Sequence, residues 1–213
     1  MKSFLNSKGA LIVHEMIFTI QQNKQYLSDI DGAIGDGDHG INMNKGFTMC
    51  ETEMQNNPVN LSQCLNSLSK ILIMKIGGSM GPLYGKFFKA MAKASEPHEI
   101  ITVSVFDNML RDALSAIQTI STAKVGDKTL MDTLVPAVNT FSAEVEKGSS
   151  FEDALETMVN TARAGMESTK DLMAKIGRSS RLGERSIGVL DAGAISCFLI
   201  LESMAVSIKK LLQ

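Results

Sequence analysis

Residues 60–88 read NLSQCLNSLSKILIMKIGGSMGPLYGKFF. Leu61, Leu65, Leu68 and Leu72 recur along one helical face. Asn60 followed by Gln63 forms a capping box that opens this helix. Gly77, Gly78 and Gly81 interrupt it, and Pro82 sits where the first turn of another helix can begin. Helix, short glycine-rich loop, helix: this pattern sets the fold class, and it extends in both directions.

Val13, Met16, Ile17 and Ile20 make a similar stripe, as do Phe106, Leu110, Ala113 and Ile117, then Leu134, Ala137, Phe141 and Val145. Leu155, Met158, Val159 and Ala162 form another, and Phe198, Leu201, Met204, Ile208 and Leu211 the last. Asp127 after Gly126, and Ser150 with Asp153, offer further helix starts. The spacing predicts eight helices at roughly 4–27, 42–55, 60–75, 82–95, 99–121, 128–147, 151–173 and 192–212. Strand-like alternation, fixed-period repeats and Pro/Gly-rich linkers are absent from the pattern. The expectation is one all-α domain over 1–213, built of antiparallel helices joined by short loops. The longer non-helical segments, 28–41, 76–81, 122–127 and 174–191, are where chemistry is to be sought.

A chain of 213 residues with net charge −2 projects no field toward nucleic acid or an anionic membrane. No run of 18 apolar residues suggests a membrane span, and His14 and Glu15 interrupt the apolar run 11–13 before a signal-peptide core can form. Cys50, Cys64 and Cys197 are scattered and odd in number, so they make neither a disulfide framework nor a CxxC metal site. Fourteen methionines and no tryptophan fit a reduced, cytoplasmic protein.

Residues 31–47, DGAIGDGDHGINMNKGF, stand apart from this background. Asp31, Asp36 and Asp38 fall within eight positions of a glycine-rich stretch. A single such aspartate is best read as a turn former. Three repel one another unless positive charge sits among them. An EF-hand is excluded, because counting from Asp36 puts Gly40 at position 5 and Phe47 at position 12. Magnesium, which takes few carboxylates and is often completed by phosphate oxygens, fits better, and three carboxylates suffice for two such ions. His39 reads equally as a surface histidine or as a donor to a phosphate oxygen. Asn42 reads as a helix cap or as a second donor.

The other loops are less specific. Residues 75–88 carry glycines that let a ligand approach the backbone, but match neither GxxxxGK[ST] nor GxGxxG. A tight helix connection with close packing at Gly85 explains them equally well. In 123–134, AKVGDKTLMDTL, Asp127 is read as a helix cap and Thr129 as a first-turn residue. In 176–196, IGRSSRLGERSIGVLDAGAIS, Arg178, Arg181 and Arg185 make a solvated basic loop or place a forked donor on a phosphate. Asp191 is read as the cap of the last helix. His14 and His98 fall on helical stretches without a nucleophile beside them, so no catalytic triad is argued.

Taken together and in order, IGDGDHGINMNKGF, GGSMGPLYGKFF, GDKTLMDTLVP and GRSSRLGERSIGVLDAGAIS make the chain resemble the DhaL family, the nucleotide-binding subunits of dihydroxyacetone kinase. The resemblance covers nearly the full length. It implies an eight-helix up-and-down α-barrel with nucleotide and two Mg2+ in the loops at one end. It also implies that Asp31, Asp36 and Asp38 ligate the metals, and that His39, Gly40, Ile41, Asn42, Ser79, Met80, Gly126, Arg178, Asp191, Ala192 and Gly193 line the nucleotide. Two positions depart from the family: Met80 replaces a small or hydroxyl residue, and Ala192 stands where the family often has proline. The DHG at 38–40 leans away from the related fatty acid kinases, which tend to read DTG.

The family's sugar is held on a separate subunit, and no such domain lies in these 213 residues. The resemblance therefore points to the phosphotransferase-system type, in which tightly bound ADP is rephosphorylated by a phosphohistidine carrier. The expected partners are that carrier and the sugar-binding kinase subunit. A transcription regulator and a homodimer are further partners the family suggests. Competing readings are an ATP-exchanging kinase subunit for a related ketose such as erythrulose, a nucleotide-sensing module, and a plain metal-binding helical protein.

Overall fold

The computed structural model describes residues 2–55 and 60–213. Among them are nine α-helices: α1 (Ala10–Gln22), α2 (Lys24–Ile34), α3 (His39–Gln55), α4 (Leu61–Lys75), α5 (Met80–Ser95), α6 (Val103–Gln118), α7 (Leu130–Glu146), α8 (Phe151–Ser168) and α9 (Ala192–Leu211). The all-α expectation holds. The first predicted helix, 4–27, divides because Asn23 leaves helical geometry, and a second helix then runs on to Ile34. Leu27 and Ile34, seven residues apart, are the buried face that carries it.

Local capping chemistry sets most of the helix starts. Asn60 and Gln63 form the reciprocal capping box of α4, Ser150 accepts from the Asp153 amide at α8, and Asp191 accepts from the Ala194 amide at α9. One cap differs from expectation. Thr129, boxed with Asp132, opens α7, whereas Asp127 accepts the Lys124 amide and pairs with Lys175 at 3.5 Å. His98 sits in a turn rather than a helix.

A two-residue antiparallel ribbon, β1 (Phe4–Leu5) with β2 (Ile100–Ile101), ties the N-terminal segment to the connection between α5 and α6. Ser3 and Gln213 exchange backbone hydrogen bonds beside it. The predicted helices at 4–27 and 99–121 therefore start too early: extended residues come first at both.

Consecutive helices from α3 to α9 pack on one another, and α1 packs against α9, α3 and α4, which closes the bundle. At the α4–α5 contact a Cβ on Gly85 would lie 2.4 Å from Ile73 Cγ1, so only glycine allows this approach. The Ser69 hydroxyl uses the gap to donate to the Gly85 carbonyl. Phe106, Phe141 and Phe151 interlock with ring centroids 5.4–6.2 Å apart. They lie at the start of α6, the end of α7 and the start of α8, which is one end of the bundle. The ends of α2, α4 and α6, and the starts of α3, α5, α7 and α9, meet at the other.

Helix α9 is long and apolar enough to cross a membrane, but 72% of its most apolar window is buried inside the protein. It touches α1, α2, α7 and α8, so its apolarity is that of a central core helix. All three cysteines are buried and free, and burial pushes Cys50 and Cys64 up to about 12, well away from thiolate chemistry.

Candidate functional site

Four alternate interhelical connections meet at one end and enclose a cavity of about 530 Å3. The first holds the aspartates. Asp31 lies in the last turn of α2 rather than in a loop, and the Gly35 amide caps that turn on the Asp31 carbonyl. Gly37 turns the chain with φ +75°, a conformation open to glycine at little cost. The Asp38 carbonyl accepts the Asn42 amide as α3 begins, and the Asp31 carboxylate accepts the His39 amide at 3.3 Å. As a result one oxygen each from Asp31, Asp36 and Asp38 lies within 4.8 Å of the others.

Arg178, on the connection after α8, supplies the positive charge these groups demand. Its guanidinium pairs with Asp36 and comes within 3.9 Å of Asp38. The donor set consists of hard, anionic oxygens with no sulfur or imidazole in it, the chemistry of magnesium rather than zinc.

The second connection, 76–79, brings Gly77, Gly78 and Ser79 to the wall, followed by the first turn of α5. The Ser79 side chain makes no cap bond, so its hydroxyl stays available to a ligand, and Pro82 leaves the turn one amide short. The third connection contributes the apolar Ile120, Ala123, Leu130 and Met131, together with Ser121, Lys128 and Thr129. The fourth contributes Arg178 and, at the start of α9, Asp191, Ala192 and Gly193.

A buried hydrogen-bond chain crosses beneath the floor. Tyr84 on α5 meets the Ser196 hydroxyl on α9 at 2.7 Å, and Ser196 meets His39 Nε2 at 2.9 Å. Burial lowers the His39 pKa to about 4 despite the nearby Asp31 charge, so the ring is neutral at pH 7. Burial raises Asp191 to about 7, with Asp132 and Asp31 adding to the rise, and the Ala194 amide and Lys128 opposing it.

Of the residues singled out from sequence, Asp31, Asp36, Asp38, His39, Asn42, Ser79, Met80, Arg178, Asp191, Ala192 and Gly193 all line this one cavity. Gly40, Ile41 and Gly126 do not. Gly40 faces α2, where a Cβ would lie 2.0 Å from the Lys24 carbonyl oxygen, so it packs helices rather than ligand. Ile41 points to solvent, and the Gly126 amide donates to Asp132. Sequence reasoning missed Lys128, Tyr84 and Ser196. For Lys128 the signal was its place inside GDKT; for Tyr84 and Ser196 nothing local existed.

The fold and the site define a class: all-α domains whose alternate loops gather carboxylates and an arginine around one end cavity. Residues 33–206 match the DAK2 domain, and the chain belongs to that family. It is 38% identical over 186 residues to the PEP-dependent dihydroxyacetone kinase 1, ADP-binding subunit DhaL, of Listeria innocua, covering 87% of this chain and 88% of that one. It is 40% identical over 187 residues to the PTS-dependent dihydroxyacetone kinase, ADP-binding subunit DhaL, of Lactococcus lactis, covering 87% and 88%. Its fold superposes with a TM-score of 0.70 on the dihydroxyacetone kinase from C. freundii in complex with AMP-PNP and Mg2+, at 22% identity. That match covers 97% of this chain and 35% of the larger one, so the chain spans about a third of it.

Proposed function

We propose that this protein is the ADP- and magnesium-binding phosphotransfer subunit of a dihydroxyacetone kinase. The observation that carries the reading is the set of three carboxylates, with ligand atoms within 4.8 Å, facing Arg178 at a cavity of about 530 Å3. Its likeness to ADP-binding subunits of dihydroxyacetone kinases supports it. Asp31, Asp36 and Asp38 would hold two Mg2+, which neutralise phosphate charge and polarise the phosphoryl group when bound.

The remaining work falls to the chain's own groups. Arg178, already paired with carboxylates, offers a forked donor to phosphate oxygens. Ser79, at the start of α5, lines the same space, and its hydroxyl, which caps no helix amide, stands in for the one lost at Met80. The neutral His39 ring is held through Nε2 by Ser196, leaving its other nitrogen for the ligand. Ile120, Ala123, Leu130 and Met131 give an apolar side suited to a nucleobase and exclude water from it.

The sugar, in this reading, sits on a separate subunit, and a phosphohistidine carrier recharges ADP that stays bound in a cytoplasmic complex. Exposed Ile41, Met74, Ile120, Val125, Ile176 and Ile187 all belong to segments at the cavity end and supply apolar surface for such partners. The test is to purify the protein without added nucleotide, denature it and identify what is released. Near-stoichiometric ADP is expected. An empty protein that binds ATP reversibly would instead make it an ATP-exchanging subunit, and no binding with magnesium present would overturn the reading.

A further inference from the structure

Lys128 is the only non-glycine residue with positive φ among the described residues, at 62°. Glycine would take that backbone without strain, whereas lysine takes it at a cost, so the side chain must bring something in return. It is 1% exposed. Its ammonium donates to three backbone carbonyls: Thr169 at 2.6 Å, Leu172 at 3.1 Å and Val189 at 2.5 Å.

Those carbonyls bracket the connection that carries Arg178. Between 172 and 190 only Ala174 and Ser186 are buried, and the segment contains no α-helix. Its single 3-10 stretch, Ser179–Ser186, is broken by non-helical geometry at Gly183. With so little core, the segment depends on polar ties for its shape, among them the Ala174 amide donating to the Ser186 hydroxyl. It is held at its ends, where Gly188 N bonds to Lys170 O and Asp191 N to Thr169 Oγ1, and at its entry, where Lys175 N bonds to Asp127 O. Lys128 sits among these ties and, from outside the segment, grips both its start and its finish. Burial lowers the Lys128 pKa from the ordinary lysine value, and Asp191, Asp171 and Asp132 oppose that fall.

We propose that Lys128 is a positioning residue: by clamping both ends of the 172–189 segment it sets Arg178 opposite Asp36 and Asp38. The part of this that concerns ligand rests on the phosphate-side reading of Arg178; the clamp itself does not.

The test compares wild type, Lys128→Met, Arg178→Ala and the double variant. Without nucleotide, amide exchange over 173–188 is expected to quicken on the order of tenfold in Lys128→Met, with the amides of α4 and α5 unchanged. A uniform rise across the molecule would overturn the clamp. Calorimetric affinity for Mg2+ and ADP is expected to fall on the order of tenfold in Lys128→Met, but by about twofold or less when Lys128→Met is added to Arg178→Ala. Fully additive losses would mean that Lys128 does not act through Arg178. If wild type binds no nucleotide, the proposed function fails while the exchange result still decides the clamp. If Lys128→Met does not fold, competitive acetylation of wild type decides instead. Lys128 is expected to be the slowest lysine to react in the folded chain, and reaction at the rate of exposed lysines would overturn the proposal.

Discussion

Asp191 and His39 bring opposite pH dependences into one cavity. The folded chain keeps the Asp191 proton up to about pH 7, whereas an unfolded chain releases it near 3.8, so this contribution is present in acid and lost as pH rises through 7. An unfolded chain protonates His39 near 6.5 and the folded one only near 4, so its contribution is present above 6.5 and lost as pH falls toward 4. Between those limits each slope reaches about 1.4 kcal/mol per pH unit, with opposite sign, and the two nearly cancel. In metal-free buffer, Asp191→Asn is expected to lose Tm steadily as pH drops from 6.5 to 4, and His39→Asn to gain it; equal slopes in both variants would contradict this. The carboxylate cluster gives a second prediction. Asp36 is exposed and, among the described residues, pairs with Arg178 alone, so Asp36→Asn should shift Tm by less than about 2 °C. Its magnesium-dependent ADP affinity should nonetheless fall at least about tenfold, measured by calorimetry.

Helix contacts set the position of these groups. Gly40 lets α3 lie directly on α2, with the Lys24 carbonyl where a Cβ would stand. Backbone cannot yield as a side chain does, so Gly40→Ala is expected to cost about 1–3 kcal/mol and roughly 2–12 °C in Tm. Because Asp31 rides on α2 and Asp38 on the entry to α3, magnesium affinity should fall with it. A neutral thermal scan would show that the two helices separate freely. Asp132 plays a comparable part at α7, where it closes the capping box and accepts the Gly126 amide. Asp132→Ala removes both and is expected to cost about 1–2 kcal/mol, read from a denaturant midpoint. The capped helices were legible in sequence because a cap and its amide lie within three or four residues. The Asp127 cap failed because two competing acceptors, Asp127 and Thr129, stand two residues apart, and only the packing of the Lys175 segment on Asp127 decides between them.

At the scale of the molecule, ligand and fold stability are linked. Mg2+ with ADP at a hundredfold excess over Kd should stabilise the chain by about 2.7 kcal/mol, an upward Tm shift of roughly 5–10 °C; ADP without magnesium should do much less. Equal shifts with and without magnesium would separate the carboxylates from nucleotide binding. Apolar stripes at helical spacing are enough to specify the helical class, and the aspartate cluster is visible because Asp31, Asp36 and Asp38 are neighbours in the chain. The sequence also placed Arg178, Ser79 and Asp191 on loops bordering helices. Packing was needed to show that Asp31 rides on a helix, that Gly40 packs against α2 outside the cavity lining, and that Tyr84, Ser196 and His39 form one hydrogen-bonded chain. Lys128 belongs with these, since its carbonyl partners lie 41 to 61 residues away. Caps and stripes are interactions between neighbours along the chain and leave a local pattern. Contacts spanning dozens of residues leave none, because they exist only once the helices have packed.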